Sequence, residues 1–381
     1  RKTKAGAAPL ADRRWEASAR GILAADVVTA FNPSGLRVHV APRPVLERRS
    51  KLGMKSSQES EVHEQRALFD EWSAQAQRSD ELRAESPFRG FRMQLERFIL
   101  RPKPEPHDIP IIELPDGKLT ADALGQLCSH EACAVVVRGF IDTESCERLT
   151  ETLFDKSDGS PWQCWGLRDG ELKQSDVDHR GIIANQASKD FDSFRRYLNT
   201  RPGGGGLEVG LDALLQEKLG GQGHLFDRLQ EALDLAHPQG CKRLRMGKWE
   251  VPSGAFRRMR MSTGYIHTDS CTWLDPDDAL LSCNLYLSTE PGQGNLNIYP
   301  IQQYEVEDYD LIKSLEWKHN EAQELLREVL PIRRTVELKN GDLVILNTGR
   351  YHEVERFDKG DRLSGQSWLT FNRGEPLELW V

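Results

Sequence analysis

The sequence predicts an α+β chain: a double-stranded β-helix, or jelly roll, braced by helices and preceded by an N-terminal extension. Short apolar and alternating stretches crowd residues 242–371, the pattern of an antiparallel β-structure. Helical periodicity is confined to the half before them and to one insert, so helices flank the strands instead of alternating with them. A stiff Pro102-Lys-Pro-Glu-Pro106 linker divides the chain into an extension, 1–105, and a β-rich domain, 106–381.

Within the extension, Gly35-Leu-Arg-Val-His-Val40 is strand-like ahead of Pro42 and Pro44. Residues 57–85 are charged, with Val62, Leu68, Phe69, Trp72 and Leu82 as a thin apolar stripe, which predicts a solvated helix packed along one narrow face. The domain opens with a strand at 108–114 and a helix from Thr120. An apolar strand follows at 134–140, then a helix capped by Asp142 or Thr143 and running through Cys146, Leu149 and Leu153. Residues 157–206 read as loop, ending in Pro202-Gly-Gly-Gly-Gly206; no Lys-Ser/Thr follows those glycines, so they are not a phosphate cradle. Helices are expected at 207–219 and 225–236, the second with Leu225, Leu229 and Leu233 on one face. Strands are then expected at 243–251, 256–261, 265–269, 280–288 and 295–299, with a helical insert at 309–329. Asn340-Gly341 predicts a hairpin over 335–346, and 363–371 forms the last strand.

Composition narrows the function classes. A formal charge of -8 opposes a phosphate backbone, so nucleic acid is not an expected partner. No apolar run approaches the roughly 18 to 20 residues of a membrane span. Seven cysteines in 381 residues do not resemble a disulfide framework and suit a reducing intracellular compartment, cytoplasmic or an organelle such as the plastid. The first fourteen residues set Arg1, Lys2, Lys4, Arg13 and Arg14 against Asp12 alone, a pattern shared by transit peptides and by disordered termini. Composition leaves the oligomeric state open.

The chemistry centres on Gly264-Tyr-Ile-His-Thr-Asp-Ser270. Side chains at i and i+2 of a strand share a face, so His267 and Asp269 converge. His352 follows Asp342-Leu-Val-Ile-Leu-Asn347, and Arg362-Leu-Ser364 lies ten residues further on. Two histidines and a carboxylate are the ligand set of non-haem Fe(II) oxygenases, and a guanidinium binds carboxylates bidentately. On the last strand Arg362, Ser364, Gln366 and Trp368 share one face, and Leu363, Leu369 and Phe371 the other. Cys128-Ser-His-Glu-Ala-Cys133 lacks the second paired set a metal cluster needs and reads as buried small residues, while His319 reads as exposed on its helix.

Residues of about 108–373 resemble the Fe(II)/2-oxoglutarate-dependent dioxygenase superfamily, especially its prolyl-hydroxylase-like branch, on four segments. These are Thr263 to Asp269, Ser282-Cys-Asn-Leu-Tyr-Leu-Ser288, Gly294-Asn-Leu-Asn-Ile-Tyr-Pro300, and the closing run from Gly341 through His352 to Ser364. The resemblance implies that His267, Asp269 and His352 bind Fe(II) and are catalytic, and that Arg362 and Ser364 hold the distal carboxylate of 2-oxoglutarate. Tyr286 matches the co-substrate tyrosine, with Asn284 on its face; a core tyrosine with a satisfied hydroxyl is the competing reading. O2 would be the second co-substrate and ascorbate an auxiliary reductant. Halogenases of the superfamily lack the carboxylate, so Asp269 implies hydroxylation or desaturation, with release of succinate and CO2.

Substrate residues are less sharply marked. Arg258 and Arg260 share a strand face just upstream of His267; inward they would meet an anionic metabolite, and on an edge strand they would sit in water. Trp162, Trp165, His179 and Arg180 would form a lid, joined by Trp273, with Trp368 on the Arg362 face, and ordinary packing is the alternative for these aromatics. The first functional expectation is oxidation of a small metabolite. The others are hydroxylation of a protein or peptide side chain, and a non-catalytic metal-binding jelly-roll module.

Overall fold

The computed structural model describes residues 57–84, 109–154, 162–164, 177–187, 190–200, 215–218, 224–262, 264–267, 269, 278–300, 323, 327, 330 and 333–381. The expected strand at 35–40 and most of the expected insert at 309–329 lie outside them.

Local signals place the first elements. Helix α1 (Ser57–Ala84) precedes β1 (Ile111–Leu114) and α2 (Ala121–Cys128). The Thr120 hydroxyl caps α2 by accepting from the Ala123 N–H at 3.3 Å. Strand β2 (Ala134–Val137) is buried at every residue and runs parallel to β1. Its α3 successor (Thr143–Phe154) is capped by Asp142, whose carboxylate takes the Ser145 N–H at 2.7 Å and its hydroxyl at 2.8 Å.

The stretch expected to be loop carries regular structure: β3 (Gln163–Cys164), β4 (Val177–Arg180), α4 (Ala184–Ala187) and α5 (Phe191–Leu198). Short strands with polar residues such as Val-Asp-His-Arg give little periodicity; partners in the sheet hold them. Helix α6 (Leu225–Ala236) buries Leu225, Leu229 and Leu233 as its fourfold spacing requires. The expected strand at 243–251 divides into β5 (Cys241–Arg243), β6 (Arg245–Met246) and β7 (Trp249–Glu250). The remaining strands are β8 (Ala255–Met259), β9 (Asp278–Ser288), β10 (Leu296–Ile298), β11 (Arg334–Val336), β12 (Leu343–Asn347), β13 (His352–Val354), β14 (Arg362–Asn372) and β15 (Leu377–Trp380).

These strands form a mixed ten-stranded sheet whose main path is β1-β2-β12-β9-β14-β8-β4-β3, with β15 joining β14 to β5. A three-stranded sheet, β11-β10-β13, accompanies it, as does the small β6-β7 pair. Alternation sets the two faces of the large sheet. Leu281, Cys283, Leu285, Leu343, Ile345, Leu363 and Leu369 pack with α2, α3 and α6 in the main core. On the other face Tyr286, Val344 and Leu346 meet Leu296, Ile298 and Val336 of the smaller sheet. The two sheets thus enclose a second core, and the site lies along it.

Asn340-Gly341 does not make the expected hairpin. β11 pairs with β10 in the smaller sheet, whereas β12 pairs with β9 and β2 in the larger one. A two-residue type I′ turn needs positive φ at both residues, but among these two it is Gly341 (φ 90°) that has it. The turn instead carries the chain from one sheet to the other, and a Cβ at Gly341 would lie 2.2 Å from the Ile141 carbonyl oxygen.

Helix α1 docks on the domain through the narrow stripe its sequence predicts. Trp72 is 1% exposed and packs on Phe194 at a centroid distance of 5.0 Å, within a cluster containing Tyr197, Trp249, Trp368 and Trp380. Among the described residues no helix is long and apolar enough to cross a membrane. The cysteines Cys128, Cys133, Cys146, Cys241 and Cys283 are free thiols, all buried.

His224 links the fold to pH. Its Nδ1 caps α6 by accepting from the Phe226 N–H at 3.3 Å, and burial, then the Arg243 charge, push its pKa from 6.5 down to about 4. Between those values the unfolded chain takes up a proton that the folded one refuses. Stability therefore falls as pH drops through this window, by about 3 kcal/mol when complete. His224→Gln is expected to remove that part of the acid sensitivity, measured as the difference in urea midpoint between neutral pH and the bottom of the window.

Candidate metal centre

His267 and His352 face one another across a single antiparallel bridge, not the regular strand expected at 265–269. Each donates its backbone N–H to the other's carbonyl, at 3.0 and 2.9 Å, a reciprocal pair that sets both side chains on the same side. The neighbouring Ile266 is held by a side chain instead. The Gln323 amide accepts from the Ile266 N–H at 2.7 Å and donates to its carbonyl at 3.2 Å, acting as a one-residue strand partner. Asp269 hangs from the 347–350 turn, its N–H donating to the Thr348 carbonyl at 2.9 Å.

The two imidazoles are oriented alike. Nδ1 of His267 lies 3.0 Å from the Tyr265 carbonyl, and Nδ1 of His352 lies 2.9 Å from the Arg350 carbonyl. A carbonyl only accepts, so each Nδ1 carries a hydrogen, and in the neutral tautomer each Nε2 holds the lone pair. Those Nε2 atoms lie 3.5 and 3.3 Å from the two Asp269 oxygens. The three residues thus offer donor atoms gathered within 4.8 Å of one another. Metal–ligand bonds of about 2.1 Å at right angles place neighbouring ligands about 3 Å apart, so the group fits a divalent ion with little movement. Asp269 and His352 are buried, while the His267 side chain is 24% exposed and gives the approach.

Behind His352, the Glu353 carboxylate is 2% exposed and accepts from Asn297 at 3.1 Å, Tyr299 at 3.0 Å, Arg327 at 2.9 Å and Arg333 at 3.3 Å. It ties β13 to β10 from the strand face opposite the His352 ring.

The proposed co-substrate residues lie on the inner face of the large sheet. Ser364 is opposite Tyr286 on one side and Arg257 on the other, so the three share a row. The Arg362 guanidinium lies 5.3 Å from the Tyr286 ring centroid and donates to the Gly294 carbonyl at 2.9 Å. Burial raises the Tyr286 phenol pKa, opposed by the charges of Arg362 and Arg257. Asn284 donates to the Ser282 hydroxyl at 3.0 Å on the same face.

The expected substrate residues are distributed differently. Arg258 shares the helix-side face of β8 with Phe256, forms a bidentate pair with Asp361 at 2.8 Å, and lies 4.9 Å from the Phe154 ring centroid. Arg260 lies beyond the strand end, about half exposed, and pairs with Asp178 at 2.9 Å. The expected shared inward face is therefore corrected, and so is the edge-strand alternative, because β8 pairs with β14 and β4. The inward arginine is Arg257, whose Nη1 donates to Gln366 at 2.7 Å. Treating Phe256 as the core anchor of β8 would have exposed this parity. His179 is opposite Arg257 on β4 and is fully buried; Arg180 takes the other face, above Trp162. Trp368 packs against Trp380 in the aromatic cluster, and Trp165 and Trp273 lie outside the described residues.

No family model and no curated protein matches the chain. Among solved structures it is similar to an N-substituted L-amino acid dioxygenase from Burkholderia ambifaria AMMD, with TM-score 0.42 and 13% identity over 68% of this chain and 91% of that one. It is also similar to a 2OG-Fe(II) oxygenase family oxidoreductase from Burkholderia pseudomallei, with TM-score 0.38 and 12% identity over 71% and 100%. HygX from Streptomyces hygroscopicus, with nickel and 2-oxoglutarate bound, gives 0.36 and 14% over 68% and 89%. Likenesses this distant carry no weight alone. The chain's own His267, Asp269 and His352 make a 2-His-1-carboxylate facial triad, the ligand set of non-haem Fe(II) oxygenases.

Proposed function

We infer that the protein is an Fe(II)/2-oxoglutarate-dependent oxygenase with a double-stranded β-helix core, acting on a small molecule. The observation that carries this reading is the triad, with both Nε2 atoms aimed at one carboxylate by backbone hydrogen bonds. Bound iron would couple oxidative decarboxylation of 2-oxoglutarate to oxidation of a substrate C–H bond.

The chain's part is to bind and orient. His267, Asp269 and His352 would hold the metal ion through three protein ligands, and the remaining positions would be free for exchangeable ligands. Arg362, beside Tyr286 and Ser364, offers a guanidinium for the distal carboxylate of the co-substrate. Those groups lie on the inner face, between the sheets, which fits a dicarboxylate reaching from the metal toward β14. Asp269 would supply the carboxylate ligand whose place a halide takes in halogenases, which favours hydroxylation or desaturation. Strand β4 and the two-residue β3 lengthen the sheet beyond β8, so Arg257 lies two strands and His179 one strand in from that edge; that wall supports a small substrate over an extended peptide.

Incubation with Fe(II), O2 and 2-oxoglutarate should release succinate and CO2 even without the substrate, and absence of both products from metal-loaded protein would sink the enzyme reading. Arg362→Ala is expected to weaken 2-oxoglutarate binding about 10- to 100-fold, the worth of a charge-assisted pair, while metal affinity stays at the wild-type value. Anaerobic titration of Fe(II)-loaded protein checks both numbers.

A further inference from the structure

Residues 129–133 join α2 to β2 and have no part in the chemistry above, yet His130 has φ of 62°, the only non-glycine residue with positive φ among those described. Helix α2 ends there in a Schellman motif. The Glu131 N–H donates to the Gln126 carbonyl at 2.8 Å, and the His130 N–H to the Leu127 carbonyl at 3.2 Å. The left-handed residue of this motif is usually glycine, because a Cβ there crowds the neighbouring carbonyl. A helix end alone therefore does not explain a histidine.

The ring supplies the explanation. Its Nε2 lies 3.2 Å from the Asp278 carbonyl at the start of β9, and its Nδ1 lies 2.7 Å from the Asn347 amide nitrogen at the end of β12. The Asn347 amide oxygen accepts from the Gly349 N–H at 3.1 Å, which fixes the amide orientation. Asn347 thus donates to Nδ1, and Nε2–H donates to Asp278. The His130 carbonyl takes a third bond, from the Arg350 guanidinium at 2.7 Å, and Arg350 is 1% exposed.

Asn347 and Arg350 belong to the 347–350 turn, which orients two of the three metal ligands from its other side. The Thr348 carbonyl accepts from the Asp269 N–H, and the Arg350 carbonyl from the His352 ring, each at 2.9 Å. We propose that His130 is a positioning residue for the metal centre, its ring and carbonyl clamping the 347–350 turn and thereby setting where Asp269 and His352 present their ligand atoms. This rests on His267, Asp269 and His352 being the metal ligands.

The test is Co(II) binding by wild type, His130→Ala and His130→Asn, because the visible absorption of Co(II) reports the number and geometry of its ligands. Melting temperatures are measured on the same samples. His130→Ala is expected to bind Co(II) ten- to a hundredfold more weakly, with a shifted spectrum, as for loss of an outer partner of a metal ligand. Asparagine tolerates the left-handed backbone and retains a hydrogen-bonding amide, so His130→Asn is expected to stay within about threefold of wild type. Leu127→Ala, a core truncation in the same helix, should lower the melting temperature but leave the affinity and spectrum of the folded protein unchanged. If His130→Ala does not fold, His130→Gly, which suits the left-handed backbone and keeps the carbonyl while removing the ring, is read in the same way. Wild-type affinity and spectrum in the folded variant would overturn the proposal whatever the melting temperature. Wild-type protein that takes up no Co(II) would instead overturn the ligand assignment.

Discussion

Replacing His352 with alanine is expected to abolish stoichiometric Fe(II) binding and, with it, succinate release. The substitution removes one of three donors from a site whose remaining members are a single imidazole and a single carboxylate. Losing an outer partner of a metal ligand typically costs ten- to a hundredfold in affinity, and loss of the ligand itself should exceed that range. The fold should survive. His352 pairs with His267 through backbone groups that alanine retains, and β13 stays bonded to β10 along its length. Anaerobic titration with Fe(II), alongside circular dichroism of the same sample, separates lost binding from lost structure. Equal affinity in wild type and variant would remove His352 from the site and the triad with it.

The part of that cluster that is local was legible in the sequence. His267 and Asp269 sit two residues apart, and the faces of β14 follow from alternation alone: Leu363, Leu369 and Phe371 reach the helix-side core, while Gln366 and Trp368 do not. Long-range pairing was less accessible. Asn340-Gly341 has hairpin chemistry, yet nothing within 335–346 says that its two arms belong to different sheets. The parity of β8 could be read only once Phe256 was recognised as packing on Phe226 of α6, at a ring-centroid distance of 5.5 Å. Gln323, which substitutes for a strand beside Ile266, and His130, which closes on Asn347 from 217 positions away, carry no local signal that points to the metal.

Glu353→Ala tests the support behind the ligands, and its expected effect is on stability. The carboxylate is 2% exposed and gathers four donors, from Asn297, Tyr299, Arg327 and Arg333, so truncation leaves several groups without their partner. Breaking a buried charge pair by removing one member typically costs about 3 to 5 kcal/mol. Arg327 and Arg333 are 21% and 44% exposed and can turn toward water, which moves the expectation to the lower end, about 3 kcal/mol. Asn297 and Tyr299 cannot do the same. They are 0% and 2% exposed, and although the Asn297 carbonyl keeps its bond from the Thr335 hydroxyl at 2.7 Å, its amide nitrogen and the phenol lose their acceptor. Glu353→Gln preserves the volume and one acceptor oxygen, so it should lose less than the alanine variant. Urea unfolding of the three proteins gives the comparison. A loss below about 1 kcal/mol for Glu353→Ala, the worth of an ordinary surface pair, would mean that β13 is held in place by its strand pairing and not by this cluster.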